Sequence, residues 1–93
     1  MLRLVTIDLA GADLIAFEAY ESKVLPLVQR HGGRVELRVR ARDGSREFHL
    51  LRFPDDATYQ RFRDDPLRTG AQDLWRLSGA AISGIEVEAV GTP

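Results

Sequence analysis

The chain has 93 residues, 44% of them apolar and 29% charged, and its formal net charge is −1. That length makes one domain that buries about two-thirds of its surface or a little less, and that charge gives no global attraction to nucleic acid or to an anionic membrane. Having no cysteine excludes a disulfide framework, a thiol nucleophile and a cysteine-ligated zinc, and its two histidines, His31 and His49, are too few for a histidine-rich metal site.

Met1 opens directly on a strand-like pattern, with no basic, then long apolar leader. No apolar run approaches the roughly 20 residues that span a bilayer. The expected location is the cytoplasm. Leu2 to Leu9 is short and rich in Leu, Val and Ile, which predicts a strand ending near Asp8. Asp13 is a plausible N-cap for a helix to about His31. Leu14, Phe17, Tyr20, Val24, Leu27 and Val28 fall at helical spacing and form its predicted buried stripe. Glu18, Glu21 and Lys23 are expected on the solvated face. Pro26 removes a backbone hydrogen bond and is expected to kink the helix or split it near Lys23. Gly32-Gly33 ends it.

Val35 to Phe53 then predicts a hairpin turning at Asp43-Gly44. Phe53-Pro54-Asp55 closes its second strand. Asp55 or Asp56 caps a short helix with Tyr59 and Phe62 inward, and Asp65-Pro66 starts another. Leu67, Ala71, Leu74 and Trp75 share one face of that helix, which Ser78-Gly79 stops. Ile82 to Val90 is the last strand, and Gly91-Thr92-Pro93 is expected to fray. The order is β-α-β-β-α-β. It predicts an α+β, ferredoxin-like domain spanning residues 1–93, with a four-stranded antiparallel sheet and helices on one face.

Asp-Gly favours a two-residue type I′ turn, so that position numbers in each cross-strand pair of the hairpin sum to about 87. One face then carries Val39 with Phe48 and Leu37 with Leu50. The other carries Arg40 with Glu47, Arg38 with His49, and Glu36 with Leu51. If Phe48 and Leu50 face the helices, His49 and Arg38 face away. Leu2 and Leu4 in the first strand oppose Val5, Ile7 and Leu9, so both faces of the sheet centre are apolar. Helices can cover only one. A second copy of the sheet, packed face to face in a homodimer, is the simplest cover for the other.

Two runs carry a resemblance: Y-E-S-K-V-L-P-L-V-Q-R-H-G-G-R (Tyr20 to Arg34) and F-P-D-D-A-T-Y-Q-R-F-R-D-D-P (Phe53 to Pro66). They resemble the dimeric α+β barrel superfamily, and most of all a small bacterial branch of uncharacterised function. That branch shares a proline late in helix one, a Gly-Gly exit, a strand ending in Phe-Pro and an Asp-Pro or Ser-Pro before the last helix. The likeness covers about Leu4 to Arg76. It implies the barrel-forming dimer. The superfamily includes cofactor-independent monooxygenases, muconolactone isomerases, haem-binding members and many proteins without assigned activity. The short Asp-Gly-Ser turn departs from the longer loop often seen in the branch, and no catalytic residue carries over.

His49 and Arg38 are the candidate catalytic pair: an acid/base imidazole beside a guanidinium that stabilises an oxyanion. The structural alternative is a histidine that hydrogen-bonds across the dimer interface. Glu36, Leu51, Phe53, Trp75 and Tyr20 are the candidate ligand-binding residues. For Tyr20 and Trp75 the competing reading is plain core. His31 in the last turn of helix one suits the helix dipole. Arg34, Arg38, Arg40 and Arg42 resemble a phosphate-tracking stripe, but Glu36, Asp43 and Glu47 are interleaved, and a charged edge strand is the better reading. No phosphate loop, dinucleotide fingerprint, nucleophile elbow or paired-histidine motif occurs, so no cofactor, metal, nucleic-acid or membrane partner is expected. Two functions fit: a homodimer that binds a small, partly apolar, anionic molecule near the sheet, or a cofactor-independent monooxygenase or isomerase acting on an aromatic or polyketide-like compound.

Overall fold

The computed structural model describes residues 1–91. Its elements are β1 (Leu2–Asp8), α1 (Leu14–Arg30), β2 (Arg34–Arg40), β3 (Arg46–Arg52), α2 (Asp56–Asp64), α3 (Pro66–Thr69), α4 (Gln72–Ser78) and β4 (Ala81–Val87). The strands form one antiparallel sheet in the order β2-β3-β1-β4. This is the ferredoxin-like α+β fold expected from the sequence. Thr92 and Pro93, at the end expected to fray, lie outside the described residues.

The Asp13 side chain caps α1 by accepting from the backbone N–H groups of Ile15 and Ala16. The helix runs unbroken through Pro26, so the expected split does not occur. Pro26 itself is exposed, while Val24, Leu27 and Val28 on either side are buried and anchor the helix across it. Packing there outweighs one lost hydrogen bond. Gly32 takes a φ of 80°, and Gly33 lies so close to the Arg52 carbonyl that a Cβ would sit 2.6 Å from it. Asp55 and Thr58 form a capping box at α2, and Asp65 caps α3 at Leu67. The last helical region divides once more, into α3 and α4, and Leu67 stays exposed while Ala71 is buried.

The hairpin register is as predicted at four pairs: Leu37 opposite Leu50, Arg38 opposite His49, Val39 opposite Phe48 and Arg40 opposite Glu47. Its turn differs. Gly44 alone has a positive φ, and a type I′ turn needs two such residues. The loop is instead closed by an Ala41 N–H to Arg46 carbonyl bond and a Gly44 N–H to Ala41 carbonyl bond, with the Asp43 carboxylate accepting from the Ser45 N–H and hydroxyl. This wider loop keeps the same pairing. Beyond Leu37 the register shifts by one, because a β-bulge inserts Glu36. Val35, not Glu36, pairs with Leu51.

The facing of β3 is the main correction. Val5, Ile7 and Leu9 are buried with Glu47, His49, Leu51 and Phe53, so the helices cover the His49 face. Phe48 and Leu50, expected inward, lie on the open face with Leu2, Leu4, Leu37, Val39 and Ile85. The reason is Phe53. It packs on Tyr59 and Phe62 of α2 with ring centroids 5.4 and 5.3 Å apart. Alternation from Phe53 then carries Leu51, His49 and Glu47 to the same side. Both faces of the sheet centre are apolar, as expected, but their roles are exchanged.

Candidate functional site

The helix-covered face does not close completely. A cavity of about 250 Å3 remains between sheet and helices. β1 supplies Arg3, Val5 and Ile7 to its wall, β3 supplies His49 and Leu51, and β4 supplies Ile82 to Gly84. The helices supply Tyr20, Glu21 and Val24 from α1, Tyr59, Phe62 and Arg63 from α2, and Arg68 from α3. The wall is thus aliphatic and aromatic, with one imidazole, one carboxyl and three guanidiniums converging on it.

His49 is held from behind. Its Nε2 lies 2.6 Å from Oε2 of Glu47, which is itself only 2% exposed. Burial works against the Glu47 anion, but hydrogen bonds from Arg38, His49 and Arg40 more than offset it, and the carboxyl stays below its ordinary range. Arg38 Nε donates to Oε2 at 2.9 Å, and Arg40 donates twice to Oε1, at 3.0 and 2.8 Å. Both arginines also bind Glu18 of α1. For His49, burial lowers the pKa, and the Glu47 hydrogen bond only partly counters that. The ring is therefore neutral near pH 7, with its proton on Nε2 toward Glu47. Nδ1, left with its lone pair, has no hydrogen-bond partner among the described residues and is not sealed off from solvent.

Glu21 is 4% exposed and has neither a hydrogen-bond partner nor an ion-pair partner among the described residues. Burial pushes its pKa from 4.5 up to about 7, Arg38 opposes this, and the Glu47 and Glu18 charges add to it. The expectation that Glu21 lies on a solvated face is corrected: Phe17, Glu21, Val24 and Val28 form one helical stripe, and that spacing was the signal for it.

Arg3, Arg63 and Arg68 make no salt bridge among the described residues. They rest on aromatic rings instead. Arg3 lies 5.1 Å and Arg63 6.0 Å from the Tyr59 ring centroid, and Arg68 lies 5.6 Å from that of Phe62.

Of the residues singled out from the sequence, the structure brings His49, Leu51 and Tyr20 to the cavity. Arg38 stands behind His49, on the far side of Glu47. Glu36 is at the outer end of the hairpin, bound to Arg34 at 2.8 Å and Arg52 at 2.6 Å. Phe53 is buried in the aromatic cluster beneath α2. Trp75 backs Tyr20, with ring centroids 5.2 Å apart. His31 Nε2 lies 2.7 Å from Asp65 Oδ2 and ties the end of α1 to the start of α3. Sequence reasoning missed Glu21, Arg3, Arg63 and Arg68. The three arginines are far apart in the chain, and no local pattern joins them.

The sequence matches no protein-family model and no curated protein. Solved structures do match. SnoaB from Streptomyces nogalater, a cofactor-independent oxygenase, has a TM-score of 0.70 at 17% identity, covering 96% of this chain and 93% of that one. A NIPSNAP domain protein from Burkholderia xenovorans has a TM-score of 0.66 at 16% identity, covering 100% and 99%. Rv0793 from Mycobacterium tuberculosis has a TM-score of 0.63 at 10% identity, covering 97% and 98%. This chain shares the fold of all three.

Proposed function

We propose that the chain binds a small, partly apolar, anionic molecule in the cavity between helices and sheet. The observation that carries this is the wall itself: aliphatic and aromatic side chains around about 250 Å3, with three guanidiniums that no protein carboxylate neutralises among the described residues. Apolar surface supplies affinity, and a few converging charges supply orientation. A panel of aromatic acids is expected to raise the melting temperature and to shift the amide resonances of Tyr20, His49 and Leu51. If no compound moves either, this reading is wrong.

The protein acts, in this reading, as a homodimer. Leu2, Leu4, Leu37, Val39, Phe48, Leu50 and Ile85 form one contiguous open apolar face, larger than scattered surface residues would make. A second copy of the same sheet covers it by symmetry. Phe48→Glu is expected to convert a dimer to a monomer in light scattering. A wild-type chain that is monomeric at every concentration would sink the dimer.

A second reading, a cofactor-independent oxygenase or isomerase, is favoured by the Glu47–His49 pair. The carboxylate fixes the ring tautomer and leaves the Nδ1 lone pair available to take a proton from an enol or phenol. The guanidiniums of the wall then stabilise the anion that forms. Arg38 acts through Glu47 as a positioning residue. The shared fold with SnoaB, itself a cofactor-independent oxygenase, supports this reading. His49→Gln is expected to abolish turnover while leaving ligand affinity and the dimer intact. Full turnover in that variant would remove the acid/base role.

A further inference from the structure

The arginines of the cavity are not equivalent, and Arg68 carries a more specific chemistry. Its Nε is buried and has no acceptor among the described residues. Its Nη1 donates to the Arg63 carbonyl at 3.1 Å, and its Cζ lies 5.6 Å from the Phe62 ring centroid. Nε and Nη2 form the edge that pairs side-on with a carboxylate through two parallel hydrogen bonds, and the guanidinium must shift slightly to bring the buried Nε out to the cavity. No protein carboxylate reaches it. Asp65, three residues earlier, is committed to His31 and to the Leu67 N–H. Glu21 shares the cavity but makes no ion pair there. A buried donor of this kind is costly to leave unpaired and is normally matched.

We propose that the ligand is an aromatic or extended apolar carboxylate, whose carboxylate is clamped side-on by Arg68 at the α2–α3 corner. This rests on the cavity-binding reading above. The planar body of the ligand lies along Val5, Leu51 and Val24 toward His49. Glu21 faces the same space and, once ionised above about pH 7, resists negative charge nearby, so the carboxylate is held best below that pH.

Calorimetric titration of the full chain with naphthoate, naphthamide and naphthyl phosphate tests this, at about pH 6 where Glu21 holds its proton. The wild type is expected to bind naphthoate about tenfold or more tighter than naphthamide, as a charge-assisted pair implies. Arg68→Gln is expected to remove that preference and leave naphthamide affinity unchanged. Arg68→Lys keeps the charge without the two-point edge and is expected to recover only part of it. Circular dichroism checks that both variants fold. Equal binding of naphthoate and naphthamide by the wild type overturns the clamp while sparing the cavity. So does a loss in Arg68→Gln that falls equally on both compounds, or tighter binding of naphthyl phosphate. No binding of any of the three overturns clamp and cavity reading together.

Discussion

Replacing Glu47 with alanine is expected to destabilise the protein by about 3 kcal/mol, the lower end of what breaking a buried ion pair costs. The carboxylate is 2% exposed and accepts from Arg38, Arg40 and His49 at once. Its removal strands a buried imidazole and two guanidiniums whose charges no longer meet a counter-charge on the sheet. Arg38 and Arg40 side chains remain 34% and 35% exposed, so water recovers part of the loss, and the figure sits low in the range. Glu47→Gln keeps the shape but not the charge and is expected to fall between. Urea unfolding of the three proteins measures this. A Glu47→Ala variant as stable as the wild type would mean that the arginines re-pair with Glu18 alone and that the network adds nothing.

The second large effect has the opposite sign. Glu21→Gln is expected to stabilise the protein by on the order of 3 kcal/mol above about pH 7, from a rise of the folded-state pKa from 4.5 to about 7. The folded carboxyl holds its proton more tightly than the unfolded one. Between about pH 4.5 and 7 the folded state therefore binds the extra proton, and wild-type stability falls as pH rises through that window. Above it the penalty is constant, and below it there is none. Glutamine carries no charge to desolvate and escapes the penalty. Paired urea titrations at about pH 4.5 and pH 8 should give a difference near zero at the first and large at the second. A difference that did not change with pH would show that the Glu21 carboxyl is solvated after all.

Most of the architecture was legible in the sequence because it rests on local signals. Asp13, Asp55 and Asp65 mark helix starts, Gly32-Gly33 and Gly79 mark ends, and the cross-strand partners of His49 and Glu47 follow from a short loop near Asp43-Gly44. The type of that loop was not legible, since a wider loop closed by Asp43 and Ser45 keeps the same pairs. Nor was the facing of β3. Apolar content alone sends Phe48 and Leu50 inward, and only the contact of Phe53 with α2 settles the alternation the other way. That reversal moved His49 from an interface between subunits to a cavity within one. The charged groups that Arg3, Glu21, Arg63 and Arg68 bring to the cavity were not legible as a set. Glu21 could have been found, since it falls on the stripe of Phe17 and Val24. The arginines could not, because long-range packing alone brings them together.

The bulge at Glu36 works as a phase shift. Uninterrupted alternation would send Val35, Leu37 and Val39 all to the open face. One extra residue turns Val35 toward the core while Leu37 and Val39 stay outside, so a single short strand serves two surfaces. The bulge absorbs one residue more than the pairing needs. Deleting Glu36 would make Val35 and Leu37 neighbours in regular alternation, still opposite Leu51 and Leu50, so Val35 would keep facing the core. What the deletion removes is the carboxylate that holds Arg34 and Arg52 together at the outer end of the hairpin.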